Sequence, residues 1–430
     1  MSKRNIMLIT ALILGLGWAI RGHFGHEWGA SWAGAMAALA LLFASKRADW
    51  ARRAPVLTFL GAIGWAVGGM MSYGIVVGYC RGVEFFNVSY GYAMLAVIGG
   101  LYGFVGGGFF GLGLESTEES RPNWATLLTE MVAGAWIFWG FIIYQLEWNM
   151  TPPRSELWAA CLGAAAALAW YLHRNGFHRA LRVAGYSALG AGFGFAFGNF
   201  IQTIAGISSI SYNWWNVMEF TLGFCGGLGM AYAVVTREWP DSVAPSKTGN
   251  WLALIFVFAA IPLTNFFSAF HTEAFIRVAE GLKMSNPELH AELQFLFGWI
   301  IMLVFLIYGI VVWRRAQRHE SSLTSLYIPF LSFGISLYYM LFGFVRKSMF
   351  YYGFSLKHSD TLYIPIFLIP VVMWFFNRRK ESSELSVEEP VHETWKRWGI
   401  ILGGLLLIIV LITLISINSH DGLGKYHERF

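Results

Sequence analysis

Four ionisable side chains fall within seven residues, Arg21-Gly22-His23-Phe24-Gly25-His26-Glu27, at the end of the first apolar segment. Charged residues make up only 13% of this chain, so the cluster stands out. Ionisable groups in or near a bilayer are costly to desolvate and are usually paired or functional. The Arg21 guanidinium has the planar donor fork that binds a carboxylate or phosphate. His23, His26 and Glu27 are residue types that exchange protons near neutral pH or hold a metal. A plainer alternative has Arg21 and Glu27 paired with each other, or snorkelling to the interface with the histidines beside them. Zinc is a weaker expectation. His-x-x-His-Glu matches neither zinc-protease motif, and a site would need a third ligand such as His271 or His358.

Other polar residues are expected at the same end of the helices. They include Arg81 and Glu84, Gln145 and Glu147, and Asn199 and Gln202. Asn213, Asn216 and Glu219 follow, and then Arg346, Lys347, Lys357, His358 and Asp360. Individually they read as interface polarity, and together as a polar basin. Asn199, Gln202 and Glu219 join Arg21, His23, His26 and Glu27 as the expected solute contacts. Glu27 and Glu130 are the expected proton or ion carriers, Glu130 lying about two turns into its helix. Trp and Tyr residues at this level read as an interfacial belt.

These residues must be positioned by membrane helices. The chain is 56% hydrophobic over 430 residues. Apolar segments recur near 6–21, 27–45, 56–78, 89–113, 125–147, 155–173, 183–205, 215–236, 249–270, 293–313, 324–345, 361–377 and 397–418. The expectation is an all-α, polytopic transmembrane bundle of about thirteen helices, each near the length that spans hydrocarbon. The first segment lacks a small-residue cleavage pattern and reads as an uncleaved helix. Basic residues cluster in Lys46–Arg53, His173–Arg182, Trp313–Arg318 and Arg378–Lys380. All four fall on one side, which the positive-inside rule makes cytoplasmic. The N-terminus is then cytoplasmic and the C-terminus outside, in a membrane such as the bacterial inner membrane. The net charge of +5 therefore reads as topology and not as a nucleic-acid surface. Three cysteines, without Cys-x-x-Cys spacing, do not make a disulfide framework.

Two parts are expected. Residues 1–236 form a Gly-rich bundle. Residues 249–418 form C-terminal helices, with an amphipathic outer loop at 271–292 and a cytoplasmic loop at 378–396. Within the first part, Gly17-Trp18-Ala19-Ile20-Arg21-Gly22 is echoed by Gly64-Trp65-Ala66-Val67-Gly68-Gly69 and Gly194-Phe195-Ala196-Phe197-Gly198-Asn199. Each lies in the first helix of a pair, the first with the second, the third with the fourth and the seventh with the eighth, and all three pairs begin on the cytoplasmic side. That predicts a parallel repeat of the kind that builds transporter folds, against chance convergence among common membrane residues. Gly99, Gly103 and Gly107, like Gly190, Gly194 and Gly198, are spaced to bare one helix face for close packing.

Three functions remain open. The first is a permease for a small polar or anionic solute, with or without coupling to protons or cations. The second is a membrane-embedded transferase using a His/Glu base at the outer leaflet. The third is a non-catalytic subunit whose 36 Phe and 20 Trp serve as packing surface. No P-loop, Rossmann fingerprint or Gly-x-Ser-x-Gly elbow is present, and no cofactor is expected. Partners are membrane lipids and the solute, with an oligomer possible.

Overall fold

The first helix starts where Ser2 caps it, its side chain accepting a hydrogen bond from the Asn5 backbone N–H at 3.4 Å, and it runs to Arg21. In the computed structural model, residues 1–208, 210–353, 358–377 and 395–430 are described, without the side chains of His26, Glu27, Tyr352, Ser359 and Trp395. The helices used below are α1 (Lys3–Arg21), α2 (His26–Ser45), α3 (Ala54–Gly69), α4 (Gly74–Tyr79), α5 (Phe85–Glu115), α6 (Trp124–Gln145) and α7 (Leu157–Arg174). They continue as α8 (His178–Ile207), α9 (Trp214–Val235), α10 (Lys247–Ala269), α11 (Thr272–Gly281), α12 (Pro287–Arg318), α13 (Glu320–Arg346), α14 (Tyr363–Asn377) and α15 (Trp395–Ile417).

The described residues are all helix, turn and loop, and eleven helices are long and apolar enough to cross a bilayer. Two of the thirteen expected segments are not among the eleven. Segment 56–78 breaks at Met70–Tyr73 into α3 and the short α4, and segment 155–173 becomes α7, which ends in His173 and Arg174. The 271–292 stretch contains α11, which turns Phe275 and Ala279 inward. Most of the 378–396 loop lies outside the described residues.

Six helices close a ring in the order α1, α2, α3, α5, α8, α9 and back to α1. Glycine explains how tightly they meet. A methyl group added to Gly17 would stand 2.8 Å from the Ala33 Cα on α2; one on Gly64 would stand 3.0 Å from the Gly106 Cα on α5; one on Gly194 would stand 3.0 Å from the Leu222 Cα on α9. The aromatic residue after each of these glycines points to the neighbouring pair. Trp65 Cβ would lie 2.8 Å from a methyl on Gly34, Phe195 Cβ 2.9 Å from one on Gly99, and Trp18 Cβ 2.8 Å from one on Gly223. Small residues of this sort let helix backbones approach where lipid supplies no hydrophobic drive.

The ring encloses aromatic rings. Trp18 packs edge-on against Trp65 at 5.7 Å between centroids, and Tyr102 lies 5.1 Å from Trp18 and 6.3 Å from Phe195. All four are fully buried. Outside the ring, α6 and α7 pack on each other, α13 stands beside α2 with α12 packed on α13, and α15 lies along α5 and α8. The C-terminal tail returns over the end of the bundle where α1 ends and α5 begins, called here the tail face.

Candidate functional site

Arg21 is the last residue of α1, one turn above Trp18, and its guanidinium lies 4.4 Å from the centre of the Trp18 ring. Gly29 on α2 makes the room. A methyl group there would stand 2.7 Å from Arg21 Cγ and 2.6 Å from its carbonyl oxygen. On the adjoining α9, Glu219 accepts from Arg21 Nη1 at both carboxylate oxygens, at 3.2 and 3.0 Å, and the same Nη1 donates to the Tyr73 hydroxyl at 3.0 Å. The same carboxylate accepts from the Tyr73 hydroxyl and from the Trp215 indole N–H, the latter at 3.1 Å. Arg21 and Glu219 are each 1% exposed. Such a pair survives burial only because further donors satisfy its remaining lone pairs.

This network sits deep. Tyr102, at the middle of the 31-residue α5, packs on Trp18 and donates to the Met71 carbonyl at 3.2 Å. The break between α3 and α4 is therefore held at mid-bundle depth, and it delivers Tyr73 to the ion pair. Irregular backbone at such a depth is tolerated where protein or a cavity satisfies it. Here a cavity of about 510 Å³ adjoins the break. Ser72, Tyr73, Gly74 and Trp215 line it, together with Arg81, Arg154, Lys425 and His427. Tyr73 and Trp215, stacked at 5.8 Å, thus touch the cavity on one side and hold Glu219 on the other.

No protein-family model, curated protein or solved structure matches this chain. The site is consequently read from its own geometry.

A second polar contact lies one step along the same seam. His23 Nε2 stands 3.3 Å from Asp360 Oδ1. Asn216, one turn before Glu219 on α9, donates to Asp360 at 3.4 Å and to the Tyr363 hydroxyl at 2.7 Å. Tyr363 in turn donates to the Ala19 carbonyl at 3.0 Å. The ends of α1, α9 and α14 are pinned together by this set. Burial pushes the His23 imidazole below its ordinary pKa, against the opposing pull of the Asp360 carboxylate.

The other expected residues are dispersed. Asn199 is buried on α8 and donates to Gln202 at 2.9 Å, while its own Oδ1 has no partner among the described residues. That pair lies at the seam between α8 and α9, where Asn199 also donates to Met218 Sδ at 3.5 Å. Glu130, on α6 outside the ring, accepts from Arg174 at 2.6 Å and is 27% exposed. The side chains of His26 and Glu27 lie outside the described residues. Among the described residues no three His, Cys, Asp or Glu side chains stand close enough to hold a metal ion.

Sequence reasoning missed Tyr73, Arg154, Lys425 and His427. Tyr73 carried one usable signal. It follows Gly68-Gly69-Met70-Met71-Ser72, a stretch poor in helix-supporting contacts inside an apolar segment.

Proposed function

We propose that the chain is a multi-pass permease for a small polar or anionic solute, with the Arg21–Glu219 pair as its central binding centre. The observation that carries this reading is the double role of Tyr73 and Trp215, which floor an open cavity and hold the buried carboxylate. A solute carboxylate or phosphate entering from the tail face meets those two side chains first. It can then compete with Glu219 for the Arg21 guanidinium. Glu219, displaced from its cation, becomes the group to take up a proton, so that binding and proton movement are coupled. Trp18, Trp65, Tyr102 and Phe195 close the ring's axis beyond this point and must move apart for passage. The broken α3–α4 segment is the kind of discontinuous helix on which transporter sites are built.

The three helix pairs, in this reading, are copies of one parallel unit. Arg21 then occupies the position that Gly68 and Gly198 hold in the other two, so one copy has exchanged packing for charge. The basic connections Lys46–Arg53 and His173–Arg182 support an orientation with the opposite face in the cytoplasm and the tail face outside, as in a bacterial inner membrane. His26 and Glu27 remain candidates for coupling at the outer end of α2, and Asn199 and Gln202 for flanking contacts.

Protein reconstituted in sealed liposomes should accumulate a labelled solute, screened from small organic and inorganic anions, under an imposed proton gradient. Arg21→Met should abolish that uptake. Normal uptake by an Arg21→Met variant present at wild-type amounts would reject the proposed centre. Turnover of a lipid-linked donor in detergent, without compartments, would point to the transferase alternative.

A further inference from the structure

The cavity above Tyr73 has walls of one sign. Arg81, Arg154, Lys425 and His427 line it, with no acidic side chain among its lining residues. Among the described residues Arg81, Arg154 and Lys425 form no ion pair. Elsewhere in this chain cations pair with acids readily, as Arg47 does with Asp49 and Arg179 with Glu115. Like charges gathered without counter-charge repel one another and concentrate anions in the space between them.

The arrangement is also held in place by backbone bonds rather than left to chance. The loop carrying Arg154 is pinned by Glu156, which accepts from the Met150 and Thr151 N–H groups at 2.8 Å each. The tail carrying Lys425 and His427 is bonded along residues 78–87. Leu423 N–H donates to the Arg81 carbonyl at 3.0 Å, and His427 N–H to the Gly78 carbonyl at 3.2 Å. Asn87 donates to the His427 carbonyl at 3.0 Å and accepts from the Arg429 N–H at 2.7 Å. Arg81 donates to the Gly424 carbonyl at 3.1 Å, so one side chain serves both the tail and the cavity.

We infer that this cavity binds an oxyanion carrying two or more negative charges, a phosphate ester or polycarboxylate, with the C-terminal tail forming one wall of the site. Two arginines and a lysine around one space suit such a ligand, because guanidinium groups bind its oxygens in pairs while the ammonium acts as a point charge. At about 510 Å³ the space accepts a small organic anion rather than a bare halide. Tyr73 and Trp215 at the floor would stack on or hydrogen-bond its uncharged part. The inference deepens the permease reading by giving its solute class, yet it concerns binding alone. It is tested without a sealed compartment, so it stands or fails separately from transport.

The test is a titration of the full-length protein in neutral detergent, at constant ionic strength, with pyrophosphate and with citrate. The readout is the thermal unfolding midpoint. At least one anion should raise it saturably. Arg154→Ala and Lys425→Ala, both at exposed positions, should each weaken that binding about tenfold, the scale of one charge-assisted hydrogen bond. Arg318→Ala, at the opposite face, should leave it unchanged. The same titration in nanodiscs separates two sources of the anion. Weaker binding in discs containing phosphatidate, a phosphate monoester, than in phosphatidylglycerol discs of equal surface charge assigns the site to a lipid headgroup, and equal binding assigns it to a free solute. The inference is overturned if neither anion acts saturably, if both alanine variants bind as the parent does, or if Arg318→Ala weakens binding as much as they do.

Discussion

Arg21 and Glu219, 198 residues apart in the chain, meet at 3.0 Å with each side chain 1% exposed. This contact joins the first helix of the ring to the last, so it closes the ring as well as furnishing a charge. The two roles predict different responses to mutation.

Removing one partner leaves the other charge buried and unpaired. Arg21→Met or Glu219→Leu alone should therefore destabilise the protein by about 3–5 kcal/mol. The double variant Arg21→Met/Glu219→Leu should regain most of that loss, because buried ion pairs often exchange for apolar residues at little net change. Uptake should stay absent in the double variant. Unfolding midpoints of the four proteins form a double-mutant cycle, and strictly additive losses would show that the pair is not coupled.

Gly29 should tolerate no side chain. Gly29→Ala places its methyl 2.6 Å from the Arg21 carbonyl oxygen, which is backbone and has little freedom to yield. A loss of about 1–3 kcal/mol is expected, the range for overpacking a filled interior. Gly403→Ala on α15, where no atom lies within 4 Å, should instead be neutral or slightly stabilising, because alanine is the better helix former. Equal unfolding midpoints for the two variants would contradict the packing described.

Local sequence carried the helices and the glycine contacts well. The four-residue spacing of Gly99, Gly103 and Gly107 put a bare strip on α5, and that strip lies against Ala191, Ser187 and Val183 of α8. Arg21 stood out because a lone cation at the end of an apolar helix is expensive. Its partner was not legible. Glu219 reads from sequence as a solute contact like Arg21, but not as its direct ion-pair partner, since which helices adjoin is decided by ring closure over the whole chain. The same limit hid Tyr73. A hydrophobic window sees 56–78 as one span, whereas the structure breaks it where Tyr102 can donate to the freed Met71 carbonyl. The tail after Ile417 reads as a polar terminus, and nothing in its composition says that it bonds to residues 78–87.

Glu130 offers a contrast with Glu219. It is 27% exposed and paired with Arg174, itself 41% exposed. Exposed pairs contribute about 0–1 kcal/mol. Glu130→Gln should thus shift the unfolding midpoint little and leave gradient-driven uptake intact. Loss of uptake with unchanged stability would restore Glu130 as a coupling group.

Burial of His23 beside Asp360 gives the protein a pH dependence whose sign is set by the burial. Burial lowers the His23 pKa in the folded protein, opposed by Asp360, while Lys347 and Arg346 act in the same direction as burial. The unfolded chain therefore binds the proton more readily than the folded one. Stability from this group is fully present above the ordinary histidine pKa of about 6.5 and is lost as pH falls below it, because there the unfolded state holds more protons. Between pH 7.5 and 5.5 the unfolding midpoint should fall, and His23→Asn should fall less steeply. The asparagine keeps a donor near Asp360 without a titrating group, so a loss of packing alone would lower the whole curve and leave its slope unchanged. Parallel curves for the parent and His23→Asn would mean that His23 does not carry this dependence.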